Sequence, residues 1–184
     1  MAGGNSLRAD AQRNRERIVA AAEDVFRELG AGASLENVAK RAGVGIGTLY
    51  RRFPTREALL AETYSDRFLS FAQTSRERSA ELDSASAVRA YLEELALLTS
   101  VYRGLAASLG TVLQVGTPGC HATSEEGMRL LDHAQKIGVI RSDINFEDVI
   151  YIVTAISLAV EQEDSPKSRI AHLVGLFLDG IGVR

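Results

Sequence analysis

Two clusters in this 184-residue chain carry side chains able to do chemistry. The first is Gly45-Ile46-Gly47-Thr48, followed by Tyr50, Arg51 and Arg52, with Arg56 four residues further on. Small residues let a backbone approach another surface closely, and phenol and guanidinium tips bond to phosphate oxygens. The second is Cys120-His121, with Glu125, Asp132 and His133 nearby. A thiol beside an imidazole is the raw material of a nucleophile or a metal site. Adjacent residues rarely point at one another, however, and neither a third orienting group nor a ligand spacing accompanies the pair. The pattern therefore predicts no catalytic residue, no metal site and no cofactor, and assigns Cys120-His121 to a surface loop. Gly43, Gly45 and Gly47 do not make a phosphate-cradling loop, because that loop follows a strand and here a helical pattern precedes it.

The elements that must position the first cluster are legible from spacing and caps. Ile18, Ala22, Val25, Phe26 and Leu29 recur at helical period and end at Gly30. Ser34 stands as an N-cap before Leu35, Val38, Ala39 and Ala42, and Gly43 closes that helix. A third, short helix holds Ile46 and Leu49 and stops before Pro54. Two short helices joined by a tight glycine-containing turn, with a third across them, form a helix-turn-helix. A recognition helix must fit a DNA major groove about 12 Å wide, which suits the small-faced segment from Gly45. Arg56 opens the next helix, where N-terminal amides would reinforce a phosphate contact.

The rest of the chain reads as helix after helix. Thr55 caps a long breaker-free one with Leu60, Tyr64, Phe68 and Phe71; Val88, Leu92, Leu95, Thr99 and Tyr102 mark another, broken at Gly104. Leu105, Leu109, Val112 and Leu113 precede a loop over Gly116–Cys120. Thr123 and Glu126 read as a capping box for a helix bearing Met128, Leu131 and Ala134, closed by Gly138. Asn145 caps a strongly apolar helix, and Ser165-Pro166 opens the last. The fold class is all-α, with about nine helices and no convincing strand. Residues 1–55 form the helix-turn-helix head, with a flexible arm over 1–10, and residues 56–184 form a helical body.

In the penultimate helix Phe146, Val149, Ile150, Val153, Ile156 and Val160 share a face, which Ile152, Ala155 and Ala159 widen. The last helix adds Ile170, Leu173, Val174, Phe177, Leu178 and Ile181. Together these exceed what one core needs, and they predict an interface with a second copy.

Composition sets the frame. Residues 1–56 carry 10 Lys and Arg against 6 Asp and Glu, while residues 57–184 carry 11 against 18, so a basic head sits on an acidic body. That is the balance expected when one end meets a polyanion. A lone cysteine excludes an intramolecular disulfide and fits a reducing compartment. The N-terminus lacks a signal-peptide core and no run of 18 apolar residues occurs, which predicts a soluble, cytoplasmic chain without membrane contact.

The segment Ser34–Leu60 resembles the N-terminal signature of TetR-type (tetracycline-repressor-like) transcriptional regulators. The family's run matches at Ala42, Gly43, Val44, Gly47, Thr48, Leu49, Tyr50, Phe53, Glu57 and Leu59 or Leu60. The resemblance covers about residues 11–62. It implies a homodimer that binds a near-palindromic duplex operator and releases it on meeting a small-molecule effector. It further implies that Ser34 caps the second helix and touches phosphate, and that Thr48 meets base edges or phosphate. By the same resemblance Tyr50, Arg52 and Arg56 bond to the DNA backbone, with Gly45, Ile46, Gly47 and Arg51 beside them. Two departures stand out: Gly45 replaces the usual Ser, and Arg56 replaces Lys. For the body, the resemblance implies an effector pocket drawn from Phe68, Phe71, Tyr102, Leu109, Val112, Leu113 and Met128, and pairing of the last two helices with their symmetry mates. Two other readings remain open: an architectural DNA-binding dimer without a ligand, and a small all-α enzyme.

Overall fold

A computed structural model describes residues 3–183, with side chains described from Asp10 onward. Among the described residues there are nine α-helices, one 3-10 turn and no strand. The helices are α1 (Gly3–Leu29), α2 (Leu35–Ala42), α3 (Ile46–Arg52), α4 (Arg56–Ser79), α5 (Ser84–Val101), α6 (Leu109–Gln114), α7 (Pro118–Lys136), α8 (Phe146–Val160) and α9 (Pro166–Ile181). The 3-10 turn, Ala106–Ser108, leads into α6. Among the described residues no single helix is long and apolar enough to cross a membrane.

The flexible arm expected over residues 1–10 is corrected in part. Residues 3–10 continue α1, because an established helix propagates cheaply into Leu7, Arg8 and Ala9. Met1 and Ala2 lie outside the described residues.

The head forms where the caps predict it. Ser34 Oγ accepts from the Glu36 amide at the start of α2. Gly43 ends that helix at φ +64°, a left-handed conformation that glycine adopts without steric cost. Side chains of α1 (Ile18, Val25, Phe26), α2 (Leu35, Val38) and α3 (Leu49) meet in one buried core with Phe53. Each such side chain contributes about 1.5–3 kcal/mol relative to exposure. Arg41 forks onto Glu28 through two bonds of 2.6 and 2.8 Å, and Arg17 donates to the Ala42 carbonyl at 2.6 Å, so α2 is held on α1 by charge as well as by core.

In the body, α4 and α7 pack along each other more extensively than any other pair of helices. The sequence places the start of α7 too late. Thr117 is the N-cap, accepting from the Cys120 amide, and Pro118 occupies the first turn. Thr123 and Glu126 therefore form no capping box: Thr123 is buried and its hydroxyl donates to the Phe68 carbonyl at 3.1 Å. Cys120, expected in a surface loop, is fully buried, its thiol donating to the Val112 carbonyl. His121 is exposed.

Glu126 is fully buried and receives Arg129 at 2.6 Å and Arg76 of α4 at 3.1 Å. Burial alone would raise this carboxyl, but the hydrogen bonds from the two arginines outweigh it and hold it below its ordinary 4.5. A carboxyl depressed in the fold stabilises above its unfolded value and loses that contribution as pH falls through the folded one. Glu126→Gln is expected to flatten the acid limb of a stability-versus-pH curve below about pH 4.5. A limb as steep as the native one would assign acid sensitivity to other carboxylates.

Candidate nucleic-acid interface

Leu49, fully buried, anchors α3 and turns the opposite face outward. Gly47, Tyr50 and Arg51 lie on that outward side, Gly45, Ile46 and Arg52 are exposed at its margins, and Thr48 is half-buried. Gly45 supplies no side-chain cap, as its missing hydroxyl dictates, and nothing lies within 4 Å of a Cβ built at Gly45 or Gly47. The N-terminal turn of α3 thus offers bare backbone to a groove. Arg51 donates to Thr48 Oγ1 at 3.0 Å, which orients both side chains. Arg52 makes no ion pair or side-chain hydrogen bond among the described residues, so its guanidinium is available to an external anion. Phe53 closes the helix under the guanidinium of Arg15, 4.8 Å from the ring centroid, and Arg15 pairs with Glu62 at 2.8 Å.

Ser34 and Arg56 are more occupied than the sequence suggests. The Ser34 hydroxyl is bonded to both the amide and the carboxylate of Glu36. Arg56 Nη1 donates to the carbonyls of Ala31 and Ala33 at 2.8 and 2.5 Å, so this cation clasps the loop between α1 and α2. Lysine, with one compact ammonium, makes a poorer clasp than a guanidinium with five donors. Arg56→Ala is expected to cost about 1–2 kcal/mol of stability, and Arg56→Lys to recover only part of it, as read by thermal denaturation. An unchanged melting temperature in both would dissolve the clasp.

The same loop is tied to the body. The Ala31 amide donates to the Arg103 carbonyl at 2.7 Å, Arg103 Nη2 returns a bond to the Leu29 carbonyl, and the Gly104 amide donates to the Glu161 carboxylate at the end of α8. Beside this strap Arg67 of α4 pairs with Glu23 of α1 at 2.5 Å and lies over both Tyr64 and Tyr102, whose ring centroids are 4.5 Å apart. Burial pushes the Tyr64 phenol up to about 12, so it stays neutral.

A cavity of about 440 Å³ opens between α6, α7 and α8. Of the residues expected to line a pocket, only Leu113 reaches it. Phe68, Phe71, Leu109 and Val112 are spent in the core, Tyr102 packs tilted against Tyr64, and Met128 faces solvent. Phe146 and Ile150, expected at an interface, line the cavity instead, together with Thr111, Gln114, Ser124, Glu147, Tyr151 and Thr154.

The expected interface stripe is likewise displaced. Val149, Ile150, Val153, Ile156, Val160, Ile170, Val174 and Ile181 are buried within the protomer and cannot form an outer surface; Leu173, Phe177 and Leu178 are half-buried, as is Phe146. The apolar groups that do face outward are Tyr151, Ala155, Leu158 and Ala159 on α8 and Leu176 on α9. Ala155 and Ala159 are the two of these that spacing sets beside the predicted stripe; Tyr151, Leu158 and Leu176 sit inside runs that are apolar almost throughout (149–153, 155–160 and 173–178), where period alone does not say which side faces out.

A basic, small-faced recognition helix on a three-helix head, carried by an all-α body, defines a helix-turn-helix DNA-binding protein. The matching family models make the identification specific. Residues 18–63 match the bacterial regulatory proteins of the tetR family, and residues 83–183 match the C-terminal domain of SbtR-like transcriptional regulators. This chain belongs to the TetR family of transcriptional regulators. A TetR transcriptional regulator from Streptomyces coelicolor is 35% identical over 92% of this chain and 98% of its own, with a TM-score of 0.56. The regulator RolR, solved with resorcinol, shares the fold at TM-score 0.70 and 21% identity, covering 96% and 91% of the two chains. An HTH-type transcriptional regulator of Staphylococcus aureus is 43% identical over 54 residues, so the match spans 29% of this chain and 29% of that relative.

Proposed function

We propose that this chain is a cytoplasmic, homodimeric repressor without enzymatic activity, released from a near-palindromic operator by a small molecule. Residues 1–55 form the reading head and residues 56–184 the effector and dimerisation body. The observation that carries the proposal is the exposed surface of α3, where Gly45 and Gly47 leave the backbone open and Ile46, Tyr50, Arg51 and Arg52 stand exposed, Arg52 without a side-chain partner among the described residues. Thr48 meets base edges or phosphate, and the three polar tips bond to phosphate oxygens. Two-fold symmetry sets the recognition helices in successive major grooves about 34–36 Å apart. The outward apolar groups of α8 and α9 support pairing through that face. Effector binding is supported by the cavity beside α8 and by relatives of this fold solved with ligands, RolR with resorcinol and FadR of Bacillus subtilis with stearoyl-CoA. The strap Glu161–Gly104–Arg103–Ala31 gives α8 a route to the head, and by linkage operator and effector each weaken the other by the same factor.

Selection from random duplex DNA tests the proposal. Recovery of an inverted repeat, bound less tightly as salt rises from about 50 to 200 mM, is the expected result. Failure to enrich any sequence at low salt would overturn it.

A further inference from the structure

The cavity between α6, α7 and α8 has an electrostatic character that narrows what it can hold; taking it as the effector site rests on the function proposed above. Its polar lining consists of the hydroxyls and amide of Thr111, Gln114, Ser124 and Thr154, with one charged side chain, Glu147, and no cation. Glu147 accepts from the Tyr151 hydroxyl at 3.1 Å, so a carboxylate and a phenol hydroxyl stand side by side on the exposed part of the lining.

The N-terminus of α8 lies here too, and by itself it would favour an anion. That pole is already answered. Asn145 and Asp148 close a reciprocal capping box, and Glu147 and Asp148 both sit in the first turn. The Tyr151 phenol registers the resulting field: the hydrogen bond to Glu147, then the charges of Glu147 and Asp148, push it above its ordinary value.

We propose that this cavity binds a small organic amine, with its ammonium on the Glu147 carboxylate beside the Tyr151 hydroxyl, and its apolar body against Leu113, Phe146 and Ile150. Carboxylates and acyl phosphates are turned away, because entry would bury an anion beside Glu147 with no compensating cation. A cavity of about 440 Å³ suits a compact ligand. Of these two groups, Glu147 supplies charge selection and the Tyr151 hydroxyl holds its carboxylate in place.

The test is a titration of the full-length protein, followed by protein-observed NMR, with three probes of matched shape: 2-phenylethylamine, 2-phenylethanol and phenylacetate. The amine is expected to bind about tenfold more tightly than the alcohol, and phenylacetate more weakly than both. Glu147→Gln is expected to bring the amine down to the level of the alcohol while the fold stays intact, the melting temperature falling by no more than about 2–4 °C for the lost first-turn charge. Phenylacetate binding as tightly as the amine, indifference of the amine to Glu147→Gln, or no binding of any probe at millimolar concentration would each overturn the inference. Operator selection reads the regulator proposal separately. An enriched inverted repeat with no amine binding removes this inference alone, and amine binding without an enriched repeat removes the regulator proposal and leaves the site.

Discussion

Gly119→Ala will lower the melting temperature by about 10 °C. Gly119 lies on the face of α7 that meets α4, and its amide donates to Ser65 Oγ at 3.2 Å. A Cβ there would overlap the Ser65 carbonyl oxygen and its carbon, and these are backbone atoms that no rotamer change can move. The methyl must push α7 off α4. The bonds that depend on their spacing lie along the same face: Thr117 to the Ala61 carbonyl, Thr123 to the Phe68 carbonyl, and Glu126 to Arg76. Overpacking of this kind costs roughly 3 kcal/mol or more, and for a chain of this size each kcal/mol is worth about 2–4 °C. Gly47→Ala is the control, since nothing lies within 4 Å of the added methyl and alanine favours a helix. It should melt no lower than the native protein. A Gly119→Ala protein melting within about 2 °C of native would show that the two helices can part without loss.

The head was readable from sequence because its determinants are local. Ser34, Gly43 and Thr55 cap helices through bonds to residues within a few positions, and a cap works alike whatever packs around it. At α7 two local signatures competed. Thr123 with Glu126 has the spacing of a capping box, but Thr117-Pro118 starts the helix six residues earlier, and the later pair is drawn into contacts with Phe68, Ser75 and Arg76 of α4. Nothing within ten residues of Glu126 announces that partner.

The two corrections on α8 and in the pocket share a cause. Helical periodicity reports which residues share a face, and it is silent on what that face meets. The densest stripe of α8 went to the protomer's own core, leaving the sparser Tyr151–Leu158 side outward. The cavity is formed by Thr111, Ser124 and Thr154 from three separate helices, and no single-helix pattern marks a space that exists only between them. Arg56 shows the same limit for polar groups. Its place in the motif is legible, but the carbonyls it clasps lie more than twenty residues upstream.

On the proposed pairing through α8 and α9, Leu158→Asp will leave the protomer folded, abolish that dimer and weaken operator binding more than about 100-fold. Leu158 is 45% exposed and lies on the outward side of α8 with Tyr151 and Ala155, while Leu176 of α9 is 57% exposed. Two copies paired through these faces would bury Leu158 at their centre, where an aspartate leaves an unpaired charge. The protomer loses little, because this side chain contributes little to its own core; Val153→Asp, fully buried, would unfold the chain and test nothing. The effect on DNA follows from bivalency. A dimer holds its second head near the second half-site at high effective concentration, and a monomer must bind each half-site separately. Leu69→Asp is the matched control, since Leu69 is also 45% exposed but lies on α4. Sedimentation equilibrium at micromolar concentration should give a monomer for Leu158→Asp and a dimer for Leu69→Asp, with equal far-ultraviolet circular dichroism. A Leu158→Asp protein that stays dimeric and binds the selected operator as tightly as the native chain would place the interface on another face. The palindrome would then have to be read by heads held together in some way other than through α8 and α9.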